Sequence, residues 1–234
     1  MKNNFIFILL FSSSLIPAQE FYNDAQLWVN LSLRKKIGKD FYVQLSQQNR
    51  WDQNVTQFKL SYWDAGITYK FTKGVALKAD YVLGMRKKND GGYTIRHQYY
   101  VALLLKKEIE RWAVIYRNKL QLQYYDYYTS TDGTNQYIYD RNKLTLKYAA
   151  TKRFEFYLAE ELYLPLNNPQ VSGFQRSRSY AGLYYNTTKD QQLEFYFALQ
   201  AQLQNGKWFK QSNSFDNSLL KHDFIYGVSY SFSF

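Results

Sequence analysis

Phe224-Ile225-Tyr226-Gly227-Val228-Ser229-Tyr230-Ser231-Phe232-Ser233-Phe234 alternates without a break. Phe224, Tyr226, Val228, Tyr230, Phe232 and Phe234 share one face, and Ile225, Gly227, Ser229, Ser231 and Ser233 share the other. A period of two is that of a β-strand, here with one aromatic face and one mostly small or polar face. The same period recurs along the chain in Leu27 to Leu33, Phe41 to Leu45, Trp63 to Phe71, Val75 to Met85, Tyr99 to Leu105 and Val114 to Tyr124. It continues in Leu144 to Tyr148, Phe156 to Leu164, Ala181 to Tyr185 and Leu193 to Leu203. No helical period competes with it.

A strand ending on an aromatic residue resembles the C-terminal signal by which bacterial outer-membrane β-barrels are recognised for insertion, with Tyr230, Phe232 and Phe234 as its aromatic positions. At the other end, Lys2 precedes the apolar run Phe5 to Phe11 and a stretch ending Ile16-Pro17-Ala18, which reads as a signal peptide over residues 1–18. Ile16 is larger than the small residue preferred at that place in a cleavage site. Residues 19–234 are then expected to form a single barrel domain. With no cysteine, disulfides, thiolate metal sites and lipoprotein processing are all excluded, and no cofactor is implied.

A mean hydropathy of -0.53 excludes a chain of membrane-spanning helices. It is compatible with a membrane barrel, whose strands alternate lipid-facing and lumen-facing residues and whose rims carry aromatic girdles. Aromatic residues make up 20% of the chain, in keeping with such girdles. A secreted β-sandwich and a periplasmic lectin are the two bland alternatives. Pro165 and Pro169 share one connection, so no strand interior loses a ladder donor. Gly66, Gly84, Gly182 and Gly227 all carry lumen parity.

Short connections follow Lys36, Phe71, Leu105, Tyr148 and Asn186, and longer ones span Asp52 to Gln57, Lys87 to Gly92, Asp126 to Asp140, Pro165 to Gln175 and Asn205 to Lys221. In outer-membrane barrels the short turns are periplasmic and the long loops extracellular. The alternation supplies about eleven strands, whereas bacterial single-chain barrels have an even number. The expectation is therefore an all-β antiparallel barrel of ten to twelve strands, with twelve preferred on that rule.

The stretches Gly66-Ile67-Thr68-Tyr69-Lys70, Arg86 with Arg96-His97-Gln98-Tyr99-Tyr100, Tyr139 to Leu144, Glu161 to Leu166 and Arg176 to Leu183 carry a family resemblance. They resemble an uncharacterised outer-membrane barrel family of the Bacteroidota, domain of unknown function 2490. The resemblance covers essentially the whole mature chain. It implies a location in the bacterial outer membrane and a fold, not an activity.

The net charge is +11, and loss of the signal peptide removes only Lys2, leaving 29 basic against 19 acidic side chains, or +10. Scattered rather than clustered basic residues argue against a nucleic-acid partner. Arg50, Arg86, Arg96, Arg141, Arg176 and Arg178 all have lumen parity toward the long-loop end, with Asp64 in the same zone, Asp80 deeper and Arg117 and Lys119 lower on the inner wall. Such a mouth could focus field on small anions. The structural alternative is that these arginines pair with acids, stack on tyrosine and tie loops to the wall. Inward Tyr62, Tyr100, Tyr157, Tyr163, Tyr180 and Tyr184 point to a narrow or closed lumen.

Glu160 and Glu161 are neighbours, so a regular strand sends one of them toward lipid unless a bulge or an interfacial position intervenes. Both read as structural. His97 and His222 have outward parity beside long loops, and Ser212, Ser214 and Ser218 lie in the last one. That is the whole basis for a lipid-acting enzyme, and no lipase or acyltransferase motif accompanies it. Asp132-Gly133-Thr134-Asn135 is a turn signal, not a calcium loop. The function classes are a narrow anion-handling barrel, a non-conducting accessory barrel of an envelope assembly and, third, that enzyme. Outer-membrane lipids and lipopolysaccharide, the barrel-assembly machinery and an unidentified envelope protein are the partners expected.

Overall fold

The structure is a computed structural model that describes residues 22–88, 91–125, 136–168, 173–203 and 221–234. The signal peptide, Asp132 to Asn135, Pro169 and the three loop serines lie outside these residues. Eleven strands form one closed barrel. In chain order they are β1 (Tyr22–Ile37), β2 (Phe41–Asp52), β3 (Gln57–Lys70), β4 (Val75–Lys87), β5 (Tyr93–Ile109) and β6 (Trp112–Tyr125). The remainder are β7 (Gln136–Ala149), β8 (Phe154–Pro165), β9 (Arg176–Asn186), β10 (Gln191–Gln202) and β11 (Lys221–Ser233).

Each strand pairs antiparallel with the next, so an odd number leaves the first and last running the same way. The seam is accordingly a parallel pair, with Val29 opposite Val228 and Leu31 opposite Tyr230. Eleven falls within the ten to twelve strands expected, one short of the preferred twelve, and the parallel seam departs from the all-antiparallel expectation. The eleven alternating segments were complete, and closure comes from a parallel ladder instead of an additional strand.

Register partners followed from Ile37 through Phe41, Tyr69, Leu77, Leu103, Asn118, Asn142, Leu162, Ser177, Ala201 and His222 return to β1 at Asn23, a stagger of 14 residues. Eleven strands with that stagger tilt by roughly 40° and close at a backbone diameter of about 22 Å. The strands run between a turn end, closed by residues 38–40, 71–74, 110–111, 150–153 and 187–190, and a loop end. Two loop-end connections, 53–56 and 88–92, are nearly as short as the turns. The first places Gln53, Asn54 and Val55 in succession at positive φ. It is pinned to β1 by Asn54 N donating to Asp24 Oδ1 at 2.9 Å and Val55 N to Ala25 O at 3.1 Å.

Outward side chains form an apolar belt that includes Leu31, Leu45, Ile67, Val101, Leu120, Leu144, Leu158 and Phe195, all exposed. At the turn end the belt is edged by aromatic pairs across neighbouring strands, Phe41 with Tyr69, Trp112 with Tyr148 and Phe154 with Tyr185, at centroid distances of 4.7 to 5.0 Å. Toward the loop end, Tyr81, Tyr99 and His97 pack together. Most of the buried side chains are inside the barrel, and they are largely polar.

Three of the lumen glycines make room for tyrosines. A β-carbon on Gly227 would stand 1.9 Å from Tyr196 Cζ, and one on Gly182 would be 2.5 Å from Tyr157 Cε1. Gly84 gives Tyr62 the same clearance, while Gly66 lies under the Asp80 carboxylate. Each glycine faces its ring across a strand pair, so the inner wall is paved with aromatic rings lying flat against backbone.

Candidate functional site: a charged lumen

Chambers open inside the barrel. One of about 600 Å³ opens toward the loop end, and one of about 350 Å³ lies nearer the turns. Asn30, Glu194 and Ser229 line both, so they mark the level at which the chambers meet. Glu194 is held there by Tyr157, whose hydroxyl donates to Oε1 at 2.6 Å.

The chambers differ in charge. Ten basic side chains line the larger against four acidic ones, Asp64, Glu161, Glu194 and Asp223. The smaller has Arg34 and Lys189 against Asp190 and Glu194, an even balance. Of the two, it is the loop-end chamber that carries an excess of positive charge.

The basic wall is organised around Glu161, which is only 1% exposed. Arg117 Nη2 lies 2.6 Å from its Oε1 and Arg141 Nη2 lies 2.8 Å from the same oxygen. On Oε2 converge the hydroxyls of Tyr163 and Tyr180, each at 3.1 Å, and Arg178 Nη1 at 3.7 Å. Strands β6, β7, β8 and β9 each supply one charged member, because Lys143 opposes Glu161 opposes Arg178 in register. Lys143 Nζ turns aside onto the Tyr180 ring at 3.8 Å and Lys119 Nζ onto Tyr100 at 3.3 Å. These two lysines are thus shielded by ring faces.

Arg50 extends over Trp28 at 3.6 Å and Tyr62 at 4.9 Å while donating to Gln48. Arg176 lies over Tyr163 at 4.8 Å. Arg86 and Arg96 line the same chamber. All six arginines line the larger chamber; Arg141 and Arg178 turn to Glu161, and Arg178 also lies over the Trp28 ring that Arg50 covers, at 4.8 Å. Asp80 is bound by Lys78 at 2.8 Å, and Asp64 accepts from the Tyr100 hydroxyl at 2.9 Å.

Sequence reasoning placed Glu161 as structural but did not single it out as the hub. The signal was there: Glu161 shares lumen parity with Arg141 and Arg178 on adjacent strands, which only the register converts into contact. Glu160 points outward with no bulge in β8, next to Ser179 of β9. Trp28, Lys143 and Glu194 also went unassigned. His97 accepts or donates at Nδ1 to the Tyr81 hydroxyl, 2.8 Å away on the outer face. At the seam, Phe234 N donates to Arg34 O at 3.0 Å and its ring stacks on Phe232, the penultimate member of the aromatic face.

This architecture is that of a porin-like β-barrel. A solved structure of the NanC porin in a rhombohedral crystal form superposes with a TM-score of 0.52 over 89% of this chain and 98% of that one, at 13% identity. The chain belongs to the family described as protein of unknown function DUF2490, whose model matches residues 25–212. Among curated proteins none matches.

Proposed function

We propose that this protein spans a bacterial outer membrane, with the short turns in the periplasm, and that its basic chamber receives small anionic solutes from the loop side. The apolar belt with aromatic edges supports the membrane placement, since lipid contact demands that pattern on the outer face. The single observation that carries the solute reading is that ten basic side chains against four acidic ones line one chamber of about 600 Å³. Fixed guanidinium groups on a low-dielectric wall raise the local anion concentration. A chamber of that size admits one small molecule rather than a broad solvent column. Lipids, lipopolysaccharide and the barrel-assembly machinery are then its expected surroundings, and no chemical step is assigned to His97 or His222.

A second reading has its own support. Glu161 with its three arginines and two tyrosines ties four strands across the lumen. Such bracing also suits a closed accessory barrel that conducts nothing. Single-channel recording of the purified protein in planar bilayers separates the two. Small anion-selective steps are expected, and a silent or cation-selective protein moves the assignment to the accessory barrel.

A further inference from the structure

Within the apolar belt the outer face of β6 to β9 breaks its pattern. Asn118 Nδ2 donates to Asp140 Oδ1 at 2.6 Å and to Asn142 Oδ1 at 3.0 Å, and Asn142 Nδ2 donates to Asp140 Oδ2 at 2.9 Å. The Tyr116 hydroxyl adds a bond to Asn142 Oδ1 at 2.5 Å. Glu160 stands on the next strand beside Ser179. Among the described residues, Asp140 and Glu160 are the carboxylates whose strand parity points outward within the belt. No lysine or arginine there shares that orientation, because Lys35, Lys87 and Lys107 have outward parity only near the ends of their strands.

Polar and acidic groups facing hydrocarbon are costly, and in membrane proteins they are found turned toward protein partners. The patch is continuous, includes both amide donors and carboxylate acceptors, and lies beside ordinary belt residues such as Leu144, Leu158 and Leu162. Two copies inserted in the same orientation can pair symmetrically only about a two-fold axis along the membrane normal. Such an axis between β7 and β8 brings β7 of one copy against β8 of the other. Asn142 opposes Leu162 and Leu144 opposes Glu160 in register, so Asn142 and Glu160 are diagonal neighbours. At the barrel's tilt their depths differ by about 2 Å. The axis therefore sets the amide of each Asn142 against the carboxylate of the other copy's Glu160, twice.

We infer that the outer face of β7 and β8 is a homodimer interface within the membrane, in which Asn142 and Glu160 pair between copies. The inference rests on the membrane placement above and is independent of what the lumen carries. The chain has no cysteine, so single cysteines report contact cleanly. Leu144→Cys lies next to the axis, and Leu31→Cys lies at similar depth on β1, on another side of the barrel. Copper-phenanthroline oxidation of intact outer membranes is expected to convert most Leu144→Cys protein to a species of twice the chain mass, and little of Leu31→Cys. Adding Asn142→Leu and Glu160→Leu should abolish that species while heat-modifiable migration shows a folded barrel. Absence of the dimer from folded Leu144→Cys protein overturns the proposal. So does equal cross-linking from Leu31→Cys, a product of another mass, or a dimer that survives the leucine pair in folded protein. Failure of the barrel to fractionate with the outer membrane would instead overturn the membrane placement.

Discussion

Arg141 closes on Glu161 through two nitrogens and one oxygen, with Nη2 at 2.8 Å and Nε at 3.1 Å from Oε1. The contact links β7 to β8 from inside the barrel, and Arg117 reaches the same oxygen from β6.

Removing that carboxylate should loosen the barrel. Glu161→Ala leaves Arg117, Arg141 and Arg178 facing one another, and breaking a buried pair typically costs about 3 to 5 kcal/mol. The lower end is expected here, because Arg117 is 31% exposed to the lumen. Urea titration in detergent, followed by tryptophan fluorescence, measures it. A loss below about 1 kcal/mol would match an exposed ion pair and contradict the bracing role.

The paved wall makes a second prediction. Gly227→Ala forces Tyr196 to move, at a cost of about 1 to 3 kcal/mol for overpacking. Combining it with Tyr196→Ala should relieve the clash, so the two changes are strongly non-additive in a double-mutant cycle. Additive losses would mean that the ring is free to swing away.

Much of this was legible in the chain. Alternation located all eleven segments, and parity placed Arg50, Arg96, Arg117, Arg141, Arg176 and Arg178 on the inner wall, where the larger chamber includes them. Closure was not legible, because a parallel seam depends on how β1 and β11 meet, and neither strand's own pattern states its partner. The Glu161 hub was hidden for a related reason: parity names a face, while only register says which residue lies opposite. Asp140 and Asn142 were obscured because Leu144, Leu146 and Tyr148 carry the outward pattern of β7 and the polar residues before them resemble the end of a strand.

The parallel seam can be checked directly. Val29 and Val228 are register partners on the outer face, so Val29→Cys with Val228→Cys should form an intramolecular disulfide in the folded barrel. Val29→Cys with Phe232→Cys, displaced by four residues along β11, should not. Mass spectrometry after mild oxidation distinguishes them, and the reverse outcome would exclude this register.

Facing can be tested on a single strand. Val101→Arg projects a charge from the exposed belt and should cost about 2 to 4 kcal/mol near mid-membrane. Gln98→Arg faces the larger chamber and should cost much less. Heat-modifiable migration across a urea series reads both, and equal losses would contradict the inward and outward assignment of β5.

The central claim, that positive charge in the loop-end chamber selects anions, is tested most directly by the reversal potential across a planar bilayer under a potassium chloride gradient. Wild-type protein should show anion preference. Arg86→Gln, Arg96→Gln and Arg176→Gln together should move it toward neutrality without unfolding the barrel, since Arg117, Arg141 and Arg178, which hold Glu161, are left in place. The preference should also weaken as the Debye length falls from about 10 Å at 0.1 M salt to about 3 Å at 1 M. A cation preference in the wild type, or an anion preference indifferent to both the substitutions and the salt, would contradict the account.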